Sequence, residues 1–163
     1  MANLFDIREM LKMAIREEQS GYNYYFFLSR NARAEEVKKL TERLVDMEKY
    51  HEKLFTGLLE SLENYQPVEN YPGEYESYLN ALMEGRMFPE GDKTEFMIEA
   101  ARKNDLTAIN IALMFERSTL LLFREVETFV PGKDLKTQEI IKRIISEEKQ
   151  HPIDLSVMIN KLR

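Results

Sequence analysis

Two short stretches place a histidine three residues after a glutamate: DMEKYHEKLF, with Glu48 and His51, and ISEEKQHPID, with Glu148 and His151. They use the only two histidines in the chain. On a helix, positions i and i+3 project to the same side, so each pair can offer a carboxylate oxygen and an imidazole nitrogen to one point in space. That is a ligand pair for a divalent cation: a neutral imidazole supplies a nitrogen, and the carboxylate offsets charge. A lone Glu-x-x-His in a glutamate-rich chain is equally what a solvated surface pair looks like. The helices that must carry the two pairs decide between these readings.

Helical periodicity runs through four long stretches, from about Asp6 to Arg33, Ala34 to Asn64, Asp105 to Val130 and Leu135 to Leu162. The VPGKD turn separates the last two at a length suited to antiparallel neighbours. Between the second and third lies a longer crossover with room for a short helix around Tyr75 to Glu84. A second short helix is expected over KTEFMIEAARKN, with Asp105 capping the third long helix. A strict 4,3 spacing picks out one seam on each long helix. The seams are Ile7, Leu11, Ala14, Glu18, Gly21, Tyr25, Leu28 and Ala32; then Val37, Thr41, Leu44, Glu48, His51, Phe55, Leu58 and Leu62. The third is Ile109, Ala112, Glu116, Thr119, Phe123, Val126 and Val130, and the fourth Thr137, Ile141, Ile144, Glu148, His151, Leu155, Met158 and Leu162. Each seam is apolar save for a glutamate near its middle, with a histidine one turn later on two of them.

A carboxylate inside a bundle is expensive without compensation, and four at one level repel one another strongly. Two divalent cations resolve this, because their charge balances four carboxylates while the imidazoles add one nitrogen each. A Glu from each of two helices with Glu-x-x-His from the other two is a recurrent bimetallic set in four-helix bundles. The candidate metal ligands are therefore Glu18, Glu48, His51, Glu116, Glu148 and His151. The pattern also repeats: AIREEQSGYNYY aligns with ALMFERSTLLLF, Glu18 on Glu116 and Tyr25 on Phe123, as expected of a duplication built around the site. Glu17 and Glu147 lie off the seams and are expected to be surface charges. Tyr22, Tyr24, Tyr25, Phe26 and Phe27 are expected to pack in the core. Tyr25 lies two turns from Glu18, where its hydroxyl could bond a metal ligand or supply a proton, which makes it the candidate catalytic residue. Pro152 cannot donate to the carbonyl of Glu148, so the fourth helix is expected to bend beside His151.

Composition narrows the alternatives. The 163 residues suffice for one domain with a proper core, and 44% apolar with 32% charged residues and few glycines and prolines is helix-rich globular composition. A net charge of −6 without a basic stripe argues against nucleic-acid binding. The acid-bearing N-terminus has no signal-peptide core, and no apolar run of membrane-spanning length stands out, so a cytoplasmic location is expected. The absence of cysteine excludes disulfides, thiol nucleophiles and iron–sulfur clusters in this chain.

With its six residues placed, the chain resembles the rubrerythrin family of the ferritin-like superfamily, specifically its ferritin-like domain. Glu18, Gly21 and Tyr24-Tyr25 resemble the first-helix signature, and Glu48-x-x-His51 and Glu148-x-x-His151 the ligand motifs. The resemblance implies one all-α, ferritin-like four-helix bundle over residues 1–163, with a single long crossover. It implies two metal ions, iron by analogy although the ligand set also accepts manganese or zinc. Glu48 and Glu148 would bridge them, and Glu18 and Glu116 would be terminal. The associated activity is reduction of hydrogen peroxide, or oxidation of ferrous iron with peroxide or oxygen; a metal-binding module without turnover is the alternative. Three departures stand out. The chain lacks the cysteine-ligated electron-feeding domain of rubrerythrins, so an external electron-donor protein is expected. Thr119 stands where the family carries an extra glutamate, three residues after the third-helix ligand. Phe123 replaces the tyrosine of the first half, so a hydroxyl near the ligands is expected on one side only. The crossover from Tyr65 to Phe88, rich in aromatics, could cover the bundle or form a homodimer contact.

Overall fold

The computed structural model describes residues 7–62, 81 and 92–163, the side chains at 92–94 and 96 excepted. Six helices span them: α1 (Ile7–Asn31), α2 (Glu35–Ser61), α3 (Asp92–Lys103), α4 (Asp105–Phe129), α5 (Leu135–Glu148) and α6 (Gln150–Leu162). They form an all-α four-helix bundle with one long crossover, between α2 and α4. Helices α1 and α2 pair tightly, and α4 pairs with α5 and α6, which together make the fourth long helix. Contacts of α1 with α4, and of α2 with α5 and α6, close the square. The short α3 packs on α4. The expected short helix over Tyr75–Glu84 and the Tyr65–Phe88 crossover lie outside the described residues, apart from the helical Ala81.

The seams account for the packing. Every seam residue is buried except Leu62 and Leu162, which close the ends of their helices and are half-buried. The apolar core falls into two clusters. One contains Tyr25, Leu28, Leu44, Ile109, Ala112, Leu155 and Met158. The other contains Leu11, Ala14, Phe55, Phe123, Ile141 and Ile144. The glutamates and histidines of the seams lie between the two along their helices. Of the aromatic run in α1, Tyr24 and Tyr25 are in the core and Tyr22 and Phe27 at its margin; Phe26 is exposed, against expectation, with Arg30 over its ring.

Three local features bear on the sequence expectation. The N-cap of α4 is Asn104, whose side chain accepts from the Thr107 amide at 2.7 Å, and not Asp105. Asp105 instead accepts from the Arg33 and Ala34 amides at 3.0 and 2.7 Å, and so ties the α1–α2 turn to the start of α4. The fourth long helix is interrupted at Lys149, between the glutamate and histidine of its motif, although Lys149 keeps helical dihedrals (φ −60°, ψ −22°). Pro152 explains the interruption, since it has no N–H to offer the Glu148 carbonyl. Finally, α4 is long and apolar enough to cross a membrane, with a mean hydropathy of 1.4 over its most apolar stretch. Half of that stretch is buried in the bundle, and it carries the buried Glu116, as befits a core helix.

Candidate metal centre

The six seam residues meet in the middle of the bundle. Glu18 comes from α1, Glu48 and His51 from α2, Glu116 from α4, Glu148 from the last turn of α5 and His151 from the first turn of α6. All six are buried. Their ligand atoms fall into two groups: Glu18, His51 and Glu148 in one, and Glu48, Glu116, Glu148 and His151 in the other, each within 4.8 Å of one another. Glu148 belongs to both. Its Oε1 lies against His51 Nδ1, and its Oε2 is 3.1 Å from His151 Nδ1. His151 Nδ1 also lies 3.4 Å from Glu116 and 3.5 Å from Glu48, and His51 Nδ1 lies 4.0 Å from Glu18. The two imidazole rings are 6.1 Å apart and inclined by 25°.

The electrostatics are those of a charge cluster in apolar surroundings. Burial, then the Glu148 carboxylate, raises Glu18 well above its ordinary 4.5; burial, then Glu18, does the same to Glu48. Burial also raises Glu116, outweighing the neighbouring His151. Burial would raise Glu148 too, but the two histidines outweigh it and hold it down to about 2. His151 loses charge stability by burial, yet Glu148 and Glu116 raise it well above 6.5.

Most of these groups have no hydrogen-bond partner among the described residues. Both oxygens of Glu18 and of Glu148, Glu48 Oε1, His51 Nδ1 and both nitrogens of His151 are buried and unsatisfied. Buried polar atoms in folded proteins are nearly always bonded, so eight orphans converging on one layer require something else to satisfy them. Oxygen and imidazole donors around two overlapping points suit two divalent cations, whose charges would balance the four carboxylates. The residues present fit a binuclear metal group.

Four further residues border this layer. Tyr25, fully buried, donates its hydroxyl to Glu116 Oε1. Phe123, its counterpart in the second half, packs on Phe55 with ring centres 5.0 Å apart. Glu147 was expected at the surface. It is only 32% exposed and bonds His51 Nε2 at 2.9 Å. Glu17, also expected there, is 2% exposed, with Thr119 Oγ1 3.5 Å away. A helix packed on two sides buries a stripe wider than a strict 4,3 seam, and both residues belong to that wider stripe. Met10, Ala14, Glu17, Gly21 and Tyr24 in α1 recur at helical spacing and are all buried, the signal that could have placed Glu17.

The comparisons with known proteins agree with this geometry. A crystal structure of a protein from Thermotoga maritima, described as a ferritin-like diiron-carboxylate protein, superposes with a TM-score of 0.74 at 24% identity, over 97% of each chain. That likeness defines the class: a ferritin-like bundle. The family model for rubrerythrin matches residues 9–116, which include Glu18, Glu48, His51 and Glu116. The chain belongs to the rubrerythrin family, as a ferritin-like domain. No curated protein matches it.

Proposed function

We propose that the chain is a di-iron oxidoreductase that reduces hydrogen peroxide, or oxidises ferrous iron with peroxide or oxygen, drawing electrons from an external donor protein. The observation that supports this most is the set of orphaned carboxylate oxygens and imidazole Nδ1 atoms in two groups that share Glu148. In this reading Glu18 and His51 would hold one ion and Glu48, Glu116 and His151 the other, with Glu148 common to both groups. Iron is preferred to manganese or zinc on the family's chemistry, since carboxylates and imidazoles accept all three.

Bound iron would supply the electron transfer that no side chain here provides. The chain's own residues do the rest. The six ligands fix the spacing of the ions on four rigid helices, and the apolar clusters on either side keep bulk water from the layer. Reduction of one peroxide to two waters consumes two electrons from the donor and two protons. Tyr25 holds a proton at its hydroxyl, directed at Glu116, and burial followed by Glu116 raises its pKa well above 10.0, so it stays protonated. It is positioned to donate.

The test begins with metal content and the ultraviolet–visible spectrum of protein purified without tag or chelator. The expected result is about two irons per chain with oxo-bridged ferric absorption. Peroxide turnover is then assayed with a supplied electron donor, in the wild type and in Glu148→Ala. Loss of turnover in a folded Glu148→Ala supports the enzyme. Two irons without turnover in the wild type would favour a metal-binding module, and no iron, even after anaerobic loading with ferrous salt, would sink the reading.

A further inference from the structure

The two halves of the centre are built from aligned sequences, yet their histidines are held differently. His51 presents Nδ1 to the interior, and its other nitrogen bonds Glu147 at 2.9 Å. His151 also presents Nδ1 to the interior, but its Nε2 is buried with no hydrogen-bond partner among the described residues. The sequence shows why. Glu147 precedes the motif glutamate in SEEKQH, whereas DMEKYH has Met47 at that place. A carboxylate reaches across the bundle from α5 to the α2 histidine, and a thioether stands at the reciprocal position.

Glu147 is itself held. Arg143, one turn earlier on α5, brings Nε to 3.8 Å from Glu147 Oε1 and donates through Nη2 to the Tyr50 hydroxyl at 2.9 Å. Tyr50, next to His51 on α2, has its ring 5.8 Å from the His51 ring. Tyr50, Arg143 and Glu147 thus form a brace between α2 and α5 on the solvent side of His51. A carboxylate oxygen accepts, so the bond to Glu147 takes the Nε2–H of His51, and a metal-bound His51 would then ligate through Nδ1.

We infer that Glu147 is a positioning residue that fixes His51 as an Nδ1 ligand and gives the His51 half of the centre a support the His151 half lacks. The inference rests on the di-metal reading above. Carboxylate partners of this kind orient a ligating imidazole and raise its basicity, and their loss costs on the order of 10- to 100-fold in metal affinity. That loss should fall on one of the two ions.

The experiment uses the full chain, stripped with chelator and titrated anaerobically with cobalt(II), read by the visible absorption of the ligated ion. Long-range proton–nitrogen spectra of the two histidine rings in the zinc-loaded protein supply a second readout. Wild type is expected to take up two cobalt ions and, loaded with zinc, to show His51 ligated through Nδ1 with its proton on Nε2. In Glu147→Leu, one binding step should weaken about 10- to 100-fold while the other is retained, and the His51 Nε2–H signal should shift as its hydrogen bond is lost. Glu147→Gln keeps a carbonyl acceptor and should restore most of both. Glu147 is partly exposed, so neither change empties the core. Wild-type uptake of two ions, with Glu147→Leu matching it in both steps and in its ring signals, would overturn the inference and leave the di-metal reading standing. No cobalt uptake by the wild type would overturn both.

Discussion

Tyr25 and Phe123 occupy equivalent places in the two halves, and only one of them can hold a proton. The Tyr25 hydroxyl ends on Glu116, so Tyr25→Phe removes a donor from a buried carboxyl while leaving the ring to pack. With metal bound, Glu116 has a cation to face. Two irons per chain should therefore remain, and peroxide turnover should fall by about 10²-fold or more if the hydroxyl acts as proton donor. Turnover within twofold of wild type in a fully loaded Tyr25→Phe would reduce Tyr25 to a packing residue. The six residues that meet in the centre were legible because each interrupts an apolar seam, and a charge on such a seam must be compensated. Glu147 was not legible on the same rule. It lies beside the seam, and its partner is the outward nitrogen of a histidine on another helix, a relation that spacing within one helix cannot express.

The helices themselves were legible almost to their ends, because a 4,3 apolar pattern is a direct statement of which face is buried. Less legible was which of two adjacent polar residues caps α4, since Asn104 and Asp105 are both good caps. The structure divides the work: Asn104 caps its own helix, and Asp105 satisfies two amides at the α1–α2 turn. Asp105→Ala should therefore cost about 1.5–3 kcal/mol, more than the roughly 1 kcal/mol expected for Asn104→Ala. Chemical denaturation of the two variants measures the difference, and equal losses would mean that Asp105 ties nothing across the bundle. At Pro152 the backbone before it is already helical, so alanine can enter without rearrangement and restore a bond to the Glu148 carbonyl. Pro152→Ala should add on the order of 1 kcal/mol of stability through that bond, read as a higher thermal midpoint. An unchanged metal affinity alongside it would make the interruption a tolerated kink, whereas weaker binding would assign it the aiming of His151.

At the scale of the whole molecule, the site makes the metal-free fold disfavour its own charges. The slope of stability with pH follows the protons bound by the unfolded chain minus those bound by the folded one. Glu18, Glu48 and Glu116 are raised above 4.5, first by burial, so above that pH the folded chain keeps protons that the unfolded chain has released. His151 is raised above 6.5 despite its burial, because Glu148 and Glu116 outweigh it, and it acts in the same direction from there upward. Glu148, held down to about 2 by the histidines against its burial, adds stability that is lost only as pH falls below 4.5. The four raised groups make stability decline as pH rises from about 5 to about 8 in the absence of metal, an interval in which Glu148 adds no slope. Cations reverse the sign. They displace those protons, and binding strengthens as the ligands deprotonate, so the loaded protein should hold or gain stability across the same range. Thermal midpoints of chelated and iron-loaded protein should therefore diverge with rising pH, with the larger gap at the alkaline end. A chelated protein whose midpoint stays level or climbs over that interval would mean that the buried carboxyls do not retain their protons. The energetic case for four glutamates waiting on two cations would then fail, even with the helices packed as described.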